Sequence, residues 1–213
     1  MRHSRFISAF ITLLTMAATA SAQPQEFSSA EAAVAALYPG HKFVEWTSTT
    51  GDWNGDGVQD RALVLNEVDG RSDGPMEIRL VVLAGTTTGR YRTLSASSNY
   101  CAAQKFYNLE AKGPSLFVTA VDKAEGDVLA STTLQFRFNR RRGDFELIGK
   151  ENVWEVEGKE YGRSSVNYPA GKLITYERVK GRIKTSKEKR FAVPSMAVLN
   201  GFNCNTYDDG VSP

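Results

Sequence analysis

The chain has 213 residues and a formal charge of +2, with 41% hydrophobic and 23% charged residues, a composition that suits one globular domain with a sizeable core. Removing residues 1–22 takes away Arg2 and Arg5 and no acidic residue, which brings the charge to 0 and leaves no general attraction to nucleic acid, whose binding depends on clustered Lys and Arg meeting phosphates. No stretch reaches the roughly 18 uninterrupted apolar residues of a membrane-spanning helix.

In chain order, Arg2 and Arg5 precede an apolar run from Phe6 through Met16, and small residues then close on Ala20-Ser21-Ala22 before Gln23. This is the layout of a secretory signal peptide cut after Ala22. Gln23 stands where a lipid-bearing cysteine would be needed, so the mature chain is expected to be a soluble protein of the periplasm without a transmembrane segment. Residues 23–207 are expected to form a single β-rich domain, and residues 208–213 a frayed tail.

Ser28, Ser29, Ala30 and Glu31 fit a capping box in which Ser28 accepts from the third helical N–H and Glu31 reaches back. Ala32 through Leu37 continue the helix, and Pro39-Gly40 ends it. Being short and apolar on most sides, it is expected to lie as a lid on a sheet. From Lys42 onward, runs rich in Val, Ile, Leu, Thr, Phe and Tyr alternate with Gly, Asp and Asn. The clearest strands are Arg61–Val68, Met76–Ala84, Ser115–Val121, Leu129–Phe138, Phe145–Lys150, Lys172–Arg178 and Arg182–Ser186. Leu134, Phe136 and Phe138 share one face, with Gln135 and Arg137 on the other, the alternation of a half-buried antiparallel strand.

Short turn-like connections at 69–75, 85–89, 140–144 and 169–171 complete a mainly β fold. It is expected as a twisted antiparallel meander, or a barrel-like or partial-propeller sheet, with one short N-terminal helix. Ser95–Lys105 has no clean period and reads as a longer loop. Cys101 and Cys204 are the two cysteines, and an oxidising compartment favours joining them; the alternative is a pair of free thiols.

The loop Asp52-Trp53-Asn54-Gly55-Asp56-Gly57-Val58-Gln59-Asp60 carries the chemistry. Calcium takes about six to eight oxygens. Asp52, Asn54 and Asp56 would offer side-chain oxygens, Gly57 the sharp turn, Val58 its backbone carbonyl, and Asp60 would close the cage. An EF-hand begins the same way but needs a bidentate Glu at its twelfth position, which here is Leu63, inside a strand. With Asp60 closing early and an extended segment following, residues 51 to about 65 resemble the calcium loops of FG-GAP and VCBS repeats. That resemblance implies an ion seated in a turn between two strands. Asn54 in place of a frequent Asp lowers the charge of the site and implies affinity on the order of 10⁻⁴ M or somewhat tighter. One copy of the loop argues against a closed propeller of four to eight repeats. The segments Phe145–Glu151 and Ser164–Lys172 resemble uncharacterised periplasmic proteins of Gram-negative bacteria that also place one such loop early, a likeness that carries compartment and fold but no activity. The ion is read first as a structural clip, second as a ligand-receiving centre, and last as absent from a turn that binds no metal.

Catalytic constellations fail. After cleavage one histidine, His41, remains, so a Ser-His-Asp or Cys-His arrangement would have to be built around it alone, whereas its place after Pro39-Gly40 at a helix end favours a capping or surface role. A zinc site needs more ligands than His41, Cys101 and Cys204 bring while a disulfide is formed, and no spacing nominates a carboxylate pair. Arg140-Arg141-Arg142 and the stretch Lys180 to Arg190 are locally basic. Arg182, Lys184 and Ser186 are expected to share one face of a strand, where Arg182 and Lys184 could contact an anionic surface, the bland reading being a solvated edge. Trp46, Trp53 and Trp154 could stack on sugars, although core packing is the commoner fate. The sequence therefore ranks first a non-catalytic periplasmic protein with structural calcium that docks another protein as an inhibitor or immunity-type partner. A module for cell-wall glycan or lipopolysaccharide follows, and a carboxylate-dependent hydrolase comes last.

Overall fold

The computed structural model describes residues 25–43, 47–67, 78–98, 100, 106–123, 128–179, 182–192, 195–204, 206–208 and 210–211. The expected signal peptide, Trp46, the 69–75 connection and Cys101 lie outside the described residues. Those described form one helix, α1 (Ala30–Leu37), and twelve strands: β1 (His41–Lys42), β2 (Ser48–Gly51), β3 (Asp60–Glu67), β4 (Ile78–Gly85), β5 (Tyr91–Ala96), β6 (Phe106–Lys112), β7 (Ser115–Lys123), β8 (Val128–Asn139), β9 (Asp144–Val156), β10 (Lys159–Asn167), β11 (Lys172–Val179) and β12 (Arg182–Arg190).

The helix starts one residue later than the capping box implies. Ser29, in extended conformation, accepts the Ala32 N–H at 3.1 Å. With Ser29 as the cap, Glu31 falls one residue too early to close a box. Its carboxylate is instead held below the usual range by its own backbone N–H first and by the Ser29 hydroxyl second.

A mainly β meander is what the chain forms, but as two open antiparallel sheets rather than one barrel-like sheet. In the five-stranded sheet, β3 sits between β4 on one side and β1 and β2 in succession on the other. The seven-stranded sheet runs β6 to β12 in sequence order. The division follows from burial. In β3 and β4, Leu63, Leu65, Val81 and Leu83 pack against Ala30, Ala33 and Val34 of α1, while Ala62, Val64, Leu80 and Val82 face Leu116, Val118, Leu134, Phe136, Val166 and Leu173 of the larger sheet. Strands buried on both faces read as continuous apolar runs, which is why β3 and β4 are obvious in the sequence.

The expected C-terminal strands hold, with longer spans: β9 continues to Val156 and β12 to Arg190. β10 (KEYGRSSVN) escaped the sequence reading because Gly162, Ser164 and Ser165 lack strand propensity. It forms because it is paired along both edges, to β9 and β11. Within the expected 95–105 loop, Ser95 and Ala96 belong to β5, and Tyr100 is buried against Tyr107 and Phe202. The tail is not frayed at Val211, which is 9% exposed and joins the main core.

Candidate functional site

The loop 52–59 joins β2 to β3, whose ends pair Gly51 with Asp60. Its short polar side chains fold it locally. Asp52 Oδ1 accepts from the amides of Gly55 at 2.7 Å and Asp56 at 3.1 Å, and its Oδ2 accepts from Gly57 at 3.0 Å. Asn54 Oδ1 accepts from the Asp56 amide at 2.8 Å, and Asp56 Oδ1 from the Val58 amide at 2.9 Å. These are the side-chain turns for which Asp and Asn are favoured, and Gly55 and Gly57 take the positive φ values of 70° and 84° that the reversals need.

Asp60 is fully buried. Its Oδ2 accepts from the amides of Trp53 at 3.1 Å and Asn54 at 3.4 Å, and its Oδ1 from Gly85 of β4 at 3.2 Å. Burial pushes its carboxyl above the ordinary aspartate range, the three amides oppose that, and Asp56 adds repulsion. An acid whose folded pKa is raised loses stability as pH climbs from the unfolded value through the folded one. A charged Asp60 is therefore a cost at neutral pH, one that a nearby cation reduces.

The donors suit a hard cation, all of them being oxygen. The Asn54 side-chain NH₂ stands between Asp56 Oδ2 at 2.9 Å and Asp60 Oδ1 at 3.4 Å. Its partial positive charge occupies the kind of place a metal ion takes, flanked by two carboxylates. Among the described residues no three His, Cys, Asp or Glu side chains converge as a cage. Asp52 and Asp60 turn toward backbone amides, yet each carboxylate oxygen has two lone pairs. Val58 is placed by the hydrogen bond that its backbone N–H donates to the Asp56 carboxylate.

The loop also bridges the two sheets. Trp53 is buried edge-on to Phe145 of β9, with ring centroids 6.0 Å apart. Arg140, from the turn between β8 and β9, reaches the Gly55 carbonyl at 3.5 Å. At the end of β4 the loop backbone lies so close that a Cβ on Gly85 would meet the Gln59 carbonyl oxygen at 2.2 Å. No side-chain rotation relieves a contact with backbone, so Gly85→Ala is expected to destabilise by about 1–3 kcal/mol. Urea denaturation measures this, and an unchanged midpoint would show that the loop is not seated on β4.

The remaining sequence candidates are dispersed. Cys204 is disulfide-bonded and packs against the main core, while its expected partner, Cys101, lies outside the described residues. His41 is half-buried, not fully exposed: among the described residues both ring nitrogens are shielded without a hydrogen-bond partner, and Tyr38 lies edge-on to the ring. Trp53 belongs to the core, whereas Trp154 is half-buried.

Arg182 and Lys184 are exposed, but the expected alternation of β12 is broken. Thr185 pairs with Glu177 and Ile183 with Arg178, which leaves Lys184 as the extra residue of a bulge. The phase shift puts Arg182 on the same face as Thr185 and opposite to Ser186. Arg182, Lys184, Lys187 and Lys189 have no ion-pair partner among the described residues, while Glu188 is taken by Lys172 at 2.8 Å and Arg190 at 3.7 Å.

The sequence reading missed the inner face of the large sheet beyond the core. Register aligns Thr132, Asn152, Ser164, Thr175 and Lys187 in one cross-strand row and Ala130, Trp154, Gly162, Glu177 and Thr185 in the next. Hydrogen bonds link Thr132 to Asn152 at 2.9 Å and Asn152 to Ser164 at 3.0 Å. Toward β12 the rows open into a groove of about 430 Å³ lined by Trp154, Tyr161, Thr175, Glu177, Thr185 and Lys187, within the range of small-molecule sites. The polar residues on this face of β10 and β11 are a usable signal only once register shows them facing the same side as the core.

No family model, curated protein or solved structure matches this chain.

Proposed function

We propose that the protein is exported to the periplasm and binds anionic glycan of the cell envelope, cell-wall polymer or lipopolysaccharide, without catalysing its turnover, while calcium in the 52–60 loop clips its two sheets together. The observation that carries this reading is the pairing of the aromatic and polar groove with β12, where Arg182, Lys184, Lys187 and Lys189 stand without counter-charges among the described residues. Lysines also protect sheet edges from pairing, but protection alone does not call for an aromatic groove beside them. Export rests on the Arg2–Ala22 pattern, and the clip on the oxygen-only donors of the loop. Among the described residues one carboxylate, Glu177, lines the groove, where a glycosidase needs two facing carboxyl groups.

Sedimentation with purified cell wall at low and high salt tests the reading. Retention at low salt that falls as screening rises is expected, and the double substitution of Arg182 and Lys184 by Gln should reduce it several-fold. Equal retention of the variant would discard this role for β12.

Docking of a protein, as an inhibitor or immunity-type partner, is the second reading. Its support is two apolar side chains left in water at the β11–β12 end of the sheet, Val179 on the inner face and Ile183 on the outer, 51% and 56% exposed.

A further inference from the structure

The two faces of the large sheet treat charge differently at its β9–β12 end. On the outer face the charges are satisfied: Arg163 pairs with Glu160 at 2.7 Å and Glu151 at 3.1 Å, and Arg178 pairs with Glu160 at 2.9 Å. Both guanidinium groups also lie over Tyr176, at 5.9 and 5.5 Å. On the inner face, Glu177 and Lys187 have neither an ion pair nor a side-chain hydrogen bond among the described residues, although both line the groove.

Two bulges flank the groove. Tyr161 is the extra residue between Glu160 and Gly162 of β10, and Lys184 is the extra residue of β12. Bulges re-aim side chains and recur beside binding sites. Here one turns an aromatic residue, 43% exposed, onto the groove wall. Gly162 faces Trp154 across the strand pair, and the Trp154 ring lies against it within van der Waals reach.

We infer that this groove is a saccharide subsite in which the pyranose ring of an anionic sugar stacks on Trp154 while Lys187 takes its carboxylate or phosphate. The inference rests on the glycan reading above. The electron-rich face of an indole attracts the polarised C–H face of a sugar ring. Thr175, Thr185 and Glu177 supply the donors and acceptors that ring hydroxyls require, and the cations of β12 set the sign of the substituent.

The mature chain is titrated with tetragalacturonic acid, which carries carboxylates, with glucose 6-phosphate, which carries a phosphate, and with neutral maltotetraose, following tryptophan fluorescence and heat. Saturable binding of at least one anionic sugar is expected, tighter than that of maltotetraose. Trp154→Ala should weaken it at least tenfold. Lys187→Gln, at an exposed position where folding is not at stake, should weaken the anionic ligand about three- to tenfold and leave maltotetraose unchanged.

Absence of saturable binding by both anionic sugars overturns the inference, as does Lys187→Gln binding them with wild-type affinity. Cell-wall retention that depends on Arg182 and Lys184 but survives Trp154→Ala would remove the subsite and leave the glycan reading standing. Loss of all cell-wall retention in the wild-type chain would remove both.

Discussion

Asp60→Ala is expected to cost on the order of 3–5 kcal/mol in unfolding free energy in chelator. The carboxylate is fully buried and is the acceptor for the amides of Trp53, Asn54 and Gly85. Each buried amide left without an acceptor costs about 1–3 kcal/mol, and water entering the space that alanine leaves recovers part of the sum. The consequence extends beyond the loop, because the Gly85 bond fastens it to β4 and Trp53 fastens it to Phe145 of the other sheet. Asp56→Ala is the contrasting variant. Asp56 is exposed, and its side chain meets one loop amide and the Asn54 side chain, so without metal its loss should cost about 1 kcal/mol or less. Urea denaturation of both variants in chelator separates the two roles. Equal costs would mean that Asp60 is not the buried anchor of the loop.

Calcium should raise the melting temperature of the mature chain by about 5–10 °C over chelator at matched ionic strength. For a site of affinity on the order of 10⁻⁴ M, ligand at about one hundred times the dissociation constant adds about 2.7 kcal/mol. In a domain of this size each kcal/mol moves the midpoint by about 2–4 °C. The physical source is relief of the cost of a charged, buried Asp60: burial opposes its ionisation first, and Asp56 adds repulsion. Asn54→Ala and Asp56→Ala should abolish the response while leaving the chelated protein folded, which marks both as ligands rather than scaffold. Magnesium, which demands near-octahedral geometry and gives up water reluctantly, should shift the midpoint far less. A melting curve indifferent to 10 mM calcium, a concentration chosen from that affinity scale, would leave 52–60 as a hydrogen-bonded turn that needs no metal.

These expectations differ in how much of their basis is visible in the chain alone. Loop 52–60 is legible because its donors are close in sequence: Asp52, Asn54 and Asp56 satisfy amides two to five residues ahead, and the spacing that would present oxygens to an ion also folds the turn. The role of Asp60 is only half legible, since its contact with Gly85 spans 25 residues. Strands β3 and β4 announce themselves by unbroken apolar runs. β10 does not, because a strand paired on both edges can be built from Gly and Ser when its neighbours supply the apolar surface. One residue of slip decides the rest. A helix cap at Ser29 rather than Ser28 takes Glu31 out of its box, and a bulge at Lys184 parts Arg182 from Ser186.

Local chemistry, then, is what the sequence by itself determined: the acidic loop, the short helix, the alternating strands, and an overall β character set by hydrophobic period and turn residues. The tertiary structure alone decided that the strands divide into two sheets, which of them α1 covers, and that the β9–β12 end of the larger sheet's inner face opens into a groove. The reason is that cross-strand register and layer packing are long-range. Trp154, Glu177 and Lys187 come from three strands, and no spacing along the chain shows that they border one groove until pairing brings their faces together.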